Sequence, residues 1–304
     1  MIEKFTGSTC PPCASYNNAT FNPFYTAENA NFNYVAYQMN WPTNAAAGFP
    51  NGDPYYTLEG GVRRGLYGVN SITSLWINGA NYSTSNNQAT LTTHLNTEAA
   101  KPGYFGLIAG REIANNTATV NYVITPFVSG NYTIQAAVIE KTTTGNIGSN
   151  GETSFKHVMM KMLPNASGTT ITTTAGMPLT GQISASLTNT FVEEVSDLEV
   201  IIFIQDNFTK QVLQSTTATV GLLSDAKFEK NVINIYPNPA TNSINIGTEE
   251  MVNVKITDLT GKTVLTIAQA NNERAINIES IAPGMYMVNV SNQNINETIK
   301  LLKK

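Results

Sequence analysis

The chain has only two cysteines, and they stand three positions apart as Cys10-Pro11-Pro12-Cys13. The run from Ile2 to Phe5 reads as a short strand, and Thr6-Gly7-Ser8-Thr9 reads as a turn. Cys10 then falls where a helix is capped. Pro11 falls where a helix tolerates proline, because the N–H it lacks had no partner there. A strand feeding a helix with C-x-x-C at the junction is the redox arrangement rather than the zinc one. The positive end of the helix dipole favours a thiolate at Cys10. Cys10 would attack a partner disulfide, and Cys13, one turn on, would resolve the mixed disulfide. Pro11 and Pro12 offer no N–H to that sulfur, so Cys13 and Ala14 are the nearest donors. A mild depression of the thiol pKa is expected.

The alternatives are thinner. Zinc would need two more ligands, and only His94 and His157 exist, one on a predicted helix and one on a predicted strand of a different domain. No metal and no cofactor is expected, and both histidines read as surface or packing residues. Met159, Met160 and Met162 flank Lys161 on a predicted strand and read as packing rather than as thioether ligands. Arg63 and Arg64 read as a solvated helix face, with anion binding as the other role. Trp41, Tyr55, Tyr56 and Trp76 read as loop or core packing, with a groove beside the cysteines as the other role.

With 304 residues the chain is expected to hold two or three domains. Only 12% of residues are charged and the net charge is -4, which argues against a nucleic-acid footprint of clustered Lys and Arg. Valine, isoleucine, threonine and tyrosine are plentiful, which favours β structure and suits an extracellular protein. No apolar run is long enough for a membrane helix, and Val200-Ile201-Ile202-Phe203-Ile204 reads as a buried strand. Met1-Ile2-Glu3 leads straight into the first strand without a signal peptide, so the sequence is expected to start inside a longer precursor.

Along the chain, Ala14 to about Glu28 reads as a helix that Pro23 kinks or ends, and Asn33 to Met39 as a strand. Trp41 to about Gly61 reads as a long loop near the cysteines, and Leu58 to Leu66 as a helical piece. Asn78-Gly79 signals a type I′ hairpin, and Gln88 to Ala100 a helix stopped by Pro102-Gly103. From Tyr104 the period becomes two. Candidate strands are 104–111, 117–125, 132–140, 155–162, 179–187, 198–205 and 211–220, about the number a two-sheet sandwich needs. Residues 223–231 read as a linker. Alternating strands follow, with turns at Asp258–Gly261 and Pro283-Gly284.

Phe5-Thr6-Gly7-x-x-Cys10-x-x-Cys13 resembles the thioredoxin superfamily. More narrowly it is similar to secreted Bacteroidota proteins related to a twenty-eight-kilodalton outer-membrane protein. Gly52-Asp53-Pro54-Tyr55-Tyr56, Arg63-Arg64-x-x-Tyr67-Gly68-Val69 and Ile77-Asn78-Gly79 are similar to that family's first domain. His157-Val158-x-x-x-Met162-Leu163-Pro164 is similar to its second. The sequence departs from thioredoxins twice. They usually carry a cis-proline before the third strand, shaping the substrate groove; here the pair is Ile72-Thr73, and a cis bond before threonine costs roughly 2.5–4 kcal/mol, so a trans peptide is expected. They often bury an acid six residues before the first cysteine; here the residue is Lys4, with Glu3 beside it. The C-terminal segment, from Ile235-Tyr236-Pro237-Asn238-Pro239 through Val254-x-Ile256-x-Asp258-x-x-Gly261-Lys262 to Lys300-Leu301-Leu302-Lys303-Lys304, resembles the type A C-terminal sorting domain of the Bacteroidota type IX secretion system.

These readings give a multidomain expectation: an α/β thioredoxin-like domain at 1–102, an immunoglobulin- or fibronectin-like β-sandwich at 103–222, a linker at 223–231 and a small all-β sorting domain at 232–304. The expected site is Cys10 and Cys13, with Thr73, Ile72 and Trp41 as groove residues. The expected partners are the type IX machinery, through 232–304, and a disulfide-containing protein or small thiol, met at the cell surface or outside after passage through the periplasm. The competing expectation is a surface binding or structural protein that uses the same folds as a scaffold.

Overall fold

The computed structural model describes residues 1–85, 87–223, 233–248, 250–259, 261–292 and 296–304. Its first strand, β1 (Ile2–Thr6), is buried along its whole length because it lies between two neighbours and under two layers. Ile2 faces a cluster with Phe21, Phe24, Tyr34, Leu75 and Leu91, whereas Phe5 faces Val35, Tyr37, Met39 and Tyr67. The period of two thus puts Glu3 and Lys4 on opposite faces of the strand, both buried.

One continuous helical run follows: α1 (Pro11–Tyr16), a π-helical turn at Asn17–Phe21 and α2 (Asn22–Glu28). The expected kink at Pro23 takes the form of that π turn. Proline cannot donate to the carbonyl four residues back, and the extra residue lets the Asn22 N–H reach the carbonyl of Asn17 instead. The next strand, β2 (Tyr34–Gln38), runs parallel to β1, pairing Ile2 with Tyr34 and Thr6 with Gln38. After a long irregular segment comes α3 (Leu58–Tyr67), capped by the Thr57 hydroxyl accepting the Gly60 N–H at 3.0 Å and closed by Gly68 at φ 63°. A hairpin of β3 (Ser74–Ile77) and β4 (Ala80–Tyr82) turns at Asn78 and Gly79, both at positive φ as a type I′ turn requires. A Cβ on Gly79 would strike the carbonyl of Lys210, so that turn is also where a later loop comes closest. The unit ends with α4 (Gln88–Ala99), and its strand order is β2-β1-β3-β4 with β3 antiparallel to β1.

The middle of the chain supplies β5 (Phe105–Ala114), β6 (Thr117–Pro126), β7 (Gly130–Thr143), β8 (Phe155–Leu163), β9 (Thr169–Thr173), β10 (Leu179–Ser186), β11 (Leu198–Asp206), β12 (Val212–Thr217) and β13 (Thr219–Val220). The seventh predicted strand divides at Ala218, where the chain crosses from one sheet to the other. The threonine-rich β9 is the strand the sequence reading missed. Two sheets face each other over a shared core. One is β10-β6-β5-β13; the other contains β12-β11-β7-β8, with β9 beside β7.

That second sheet does not end at β8. Val158 of β8 pairs in parallel with Ala36 of β2, so a single sheet runs β12-β11-β7-β8-β2-β1-β3-β4. The side chains explain it. Ile134, Ala136, Val138, Val200, Ile202 and Ile204 fill the core between the sheets. Their neighbours Ala137, Ile139, Ile201 and Phe203 point the other way, into the cluster with Phe5, Tyr37 and Tyr67. Buried on both faces, Val200–Ile204 is apolar without alternation. Met159, Met160 and Met162 are core residues here, as their strand placement predicted.

Of the expected linker, residues 224–231 lie outside the described residues. Beyond it come β14 (Ile235–Tyr236), β15 (Ser243–Ile246), β16 (Val252–Asp258), β17 (Thr263–Ala270), β18 (Ile276–Asn277), β19 (Gly284–Ser291) and β20 (Asn296–Lys303). They form sheets of order β14-β15-β18 and β17-β16-β19-β20 around a separate apolar core that includes Ile244, Val254, Ile256, Val288 and Leu301. No helix among the described residues is long and apolar enough to cross a membrane.

Candidate functional site

Cys10 occupies the N-cap of α1, as its sequence position predicts, and is joined to Cys13 in a disulfide. Its sulfur accepts the Cys13 N–H at 3.2 Å, one of the two donors the prolines left in range. Pro11 and Pro12 stand exposed beside the bond, yet Cys10 is only 1% exposed and Cys13 fully buried.

Backbone and polar side chains of two loops hold the turn before Cys10. The segment 146–152, which joins β7 to β8, lies across the turn before Cys10. Asn150 donates its backbone N–H to the Ser8 carbonyl at 2.9 Å and its amide to the carbonyls of Gly7 and Cys10 at 3.2 and 3.4 Å. Gly148 packs so closely on Ser8 that a Cβ there would collide with its backbone. From the other side, the buried Asp53 accepts the N–H of Ser8 at 2.7 Å and of Tyr55 at 2.8 Å. Burial pushes the Asp53 carboxyl up in pKa, and those N–H groups pull it back toward ionisation.

The third wall is the segment before β3. The Ile72 carbonyl oxygen lies 4.0 Å from the Cys10 sulfur. The Ile72–Thr73 peptide is cis, contrary to the trans bond expected from threonine's intrinsic preference. That preference describes an isolated peptide, whereas here Ile72 packs with Trp41 against the Phe5 cluster. Ile72 and the Trp41 carbonyl also flank Gly7, each 3.6 Å from where its Cβ would be. Of the aromatics weighed for a groove, Trp41 carries the Arg64 guanidinium 4.8 Å above its ring, Trp76 stacks on Tyr67 at 4.4 Å and Tyr55 stacks on Phe191 at 5.0 Å.

Glu3 and Arg63 form an ion pair at 2.6 Å, each side chain 1% exposed. The expected solvated face at Arg63 is therefore corrected: α3 turns this side chain inward. Tyr37 and Tyr67 donate their hydroxyls to Glu3 at 2.8 and 2.5 Å, and Arg63 donates to Gln205 of β11 at 2.9 Å. Burial raises the pKa of both tyrosines, so they remain donors at physiological pH. A buried charge needs partners on every side, and this network finds them on β1, β2, α3 and β11 together.

On the opposite face of β1, Lys4 donates to Asn17 at 2.8 Å and lies 3.9 Å from the centre of the Phe21 ring. Desolvation lowers its pKa to about 7, against the attraction of Glu152. Among the described residues no three His, Cys, Asp or Glu side chains gather as a metal site. Of the residues the sequence singled out, Cys13 is bonded to Cys10 and the Ile72 carbonyl lies against its sulfur, whereas Trp41 reaches the preceding turn at Gly7. The sequence carried no sign of the roles of Asp53 and Asn150, which depend on loops meeting across long separations.

Residues 234–304 match the family described as "Secretion system C-terminal sorting domain". The tail is a sorting domain. The protein is accordingly a secreted or cell-surface one. Among solved structures, HBP35 of Porphyromonas gingivalis is similar over 99% of this chain and 96% of its own, with a TM-score of 0.53 and 13% identity. That likeness is one of fold. A protein of Agrobacterium tumefaciens, AGR_C_4864, aligns over 72% of this chain and 92% of its own at a TM-score of 0.49 and 14% identity. PorZ of Porphyromonas gingivalis, a surface component of its type-IX secretion system, aligns over 64% and 38% at a TM-score of 0.23 and 12% identity. No curated protein matches the chain in sequence.

Proposed function

We propose that this is a type IX secretion cargo whose thioredoxin-like N-terminal unit carries out thiol–disulfide exchange through Cys10 and Cys13. The observation that carries the reading is Cys10 at the start of the helical run 11–28, with Cys13 one turn on, bonded to it and donating its N–H to the Cys10 sulfur. The order β2-β1-β3-β4, with β1 and β2 parallel and β3 antiparallel, supports the thioredoxin-like assignment, and the facing sheets of 105–220 support an immunoglobulin-like sandwich behind it.

In the oxidised protein, a partner thiolate attacks one sulfur of the Cys10–Cys13 bond. A mixed disulfide forms and the other sulfur leaves as a thiolate. In the reverse direction Cys10 attacks a partner disulfide, and Cys13 displaces the partner's second sulfur to restore the internal bond. The helix start and the Cys13 N–H stabilise negative charge on Cys10. Attack requires the 146–152 cover to move. Ile72, Thr73 and Trp41 would then border the opening and meet the partner's backbone.

A second reading has its own observation. Cys10 at 1% exposure suits a closed bond in a scaffold that binds rather than reacts. Insulin reduction separates the two. The full chain with dithiothreitol should accelerate insulin precipitation several-fold, and Cys10→Ser should abolish the effect. Equal rates for both proteins would favour the scaffold.

A further inference from the structure

The two adjacent arginines of α3 are used in opposite ways. Arg63 spends its guanidinium on Glu3 and Gln205 inside the fold. Arg64, half-buried in the last turn of the helix, holds its guanidinium 4.8 Å from the centre of the Trp41 ring. Among the described residues no carboxylate forms an ion pair with it. A guanidinium resting on an aromatic ring keeps its N–H edge available, and that edge matches a carboxylate's two oxygens.

Two glycines bring other groups to the same place. A Cβ on Gly61 would lie 2.4 Å from the Tyr56 hydroxyl, so the hydroxyl rests on α3 where Gly61 leaves room. Gly61 and Arg64 are three positions apart and share a helix face. A Cβ on Gly52 would strike the backbone of Asn40 and Trp41, so the segment leading to Tyr56 runs tightly beside Trp41. A guanidinium, a phenol hydroxyl and an indole ring therefore gather over one turn of helix.

The cysteines are close by along the chain's contacts. The Thr9 hydroxyl donates to the Pro42 carbonyl at 2.7 Å, which ties the Trp41 loop to the residue before Cys10. Trp41 and Ile72 pack on one apolar cluster, and the Ile72 carbonyl lies 4.0 Å from the Cys10 sulfur. Pro42, Ile72 and Thr73 bring no charge to this border, so its cation is Arg64.

We propose that Arg64, with the Tyr56 hydroxyl, is an anion subsite of the exchange groove and selects disulfide partners that carry a carboxylate beside the cysteine. This rests on the exchange reading above and adds a substrate class to it. The chain's net charge of -4 would select the reverse, because it repels acidic partners. A preference for acidic partners has to come from a local cation.

Stopped-flow kinetics on the reduced full chain tests this with three peptide homodisulfides: acetyl-Glu-Cys-Glu-amide and its Gln-Cys-Gln and Lys-Cys-Lys counterparts. The Cys10 thiolate attacks one sulfur of the peptide disulfide and one peptide leaves as its thiolate. Cys13 then displaces the second peptide and closes the internal bond. Dividing each rate by that of dithiothreitol with the same peptide removes the disulfide's intrinsic reactivity. In dilute buffer the Glu peptide should outpace the Gln peptide about fivefold, the rate equivalent of one exposed charged pair. The advantage should shrink in about 0.5 M salt, where the Debye length falls below about 5 Å. Arg64→Gln should bring the Glu-to-Gln ratio below one, Arg64→Lys should restore part of it, and Tyr56→Phe should lower it. A ratio of one or less in the natural protein, or the same ratio in Arg64→Gln, would overturn the subsite while reaction with the Gln peptide upholds exchange. No reaction with any of the peptides would overturn exchange and the subsite together.

Discussion

Adjacent residues of β1 carry opposite charges to opposite faces, and each is buried for a different reason. Glu3 is held by Arg63, Tyr37 and Tyr67. Removing one partner of such a pair leaves the other charge buried and alone, which costs about 3–5 kcal/mol. Arg63→Met should therefore lower stability by about that amount in urea titrations, and Arg63→Lys should recover only part of it, because a lysine cannot reach both Glu3 and Gln205. Lys4 behaves differently. Its folded pKa, about 7, lies below the ordinary lysine value of 10.5, so between those limits the unfolded chain binds more protons. The cost of burying its charge is fully present below pH 7 and relaxes as pH rises toward 10.5. Lys4→Met should accordingly be more stable than the natural protein at pH 6, with the gap narrowing by pH 9. A gap constant across that range would contradict the assignment. Neither arrangement was legible in the sequence. Lys4 stood out as a departure from the thioredoxin pattern, but its burial depends on Phe21, Asn17 and Tyr34, and the burial of Arg63 on Gln205, 142 positions away.

At the scale of elements, local signals were read well wherever the chain's own chemistry decided. The C-x-x-C cap, the Asn78-Gly79 hairpin and the alternating strands from 105 onward are all present. Two features set by distant packing escaped: the cis bond at Ile72–Thr73 and the 146–152 segment lying across the turn before Cys10. In the proposed exchange, that segment would govern access to the disulfide. Gly148→Val would drive a side chain into the Ser8 backbone and displace the cover. The expected result is faster reduction of the Cys10–Cys13 bond by dithiothreitol, by at least tenfold, with the far-ultraviolet spectrum unchanged. An unchanged rate would mean that the segment does not control access.

Across the whole molecule, one sheet crosses the expected boundary between residues 102 and 103. Strands β7, β8 and β11 supply apolar side chains to the Phe5 and Tyr37 cluster, and β11 supplies Gln205 to the buried ion pair. A fragment of residues 1–102 should therefore lack a cooperative unfolding transition, whereas 1–223 should show one. A folded 1–102 would mean that the shared sheet is dispensable. The sorting domain has its own core, from Ile233 to Leu301, which fits a module recognised separately from its cargo.

The central claim is that a covered disulfide at a helix start is an exchange partner rather than a fixed staple. Its reduction potential, measured on the full chain by equilibration with glutathione and quantified by thiol alkylation, tests this most directly. Exchange requires a midpoint in the range of working oxidoreductases, about -120 to -270 mV, whereas a value below about -300 mV is that of a structural bond and would contradict the claim.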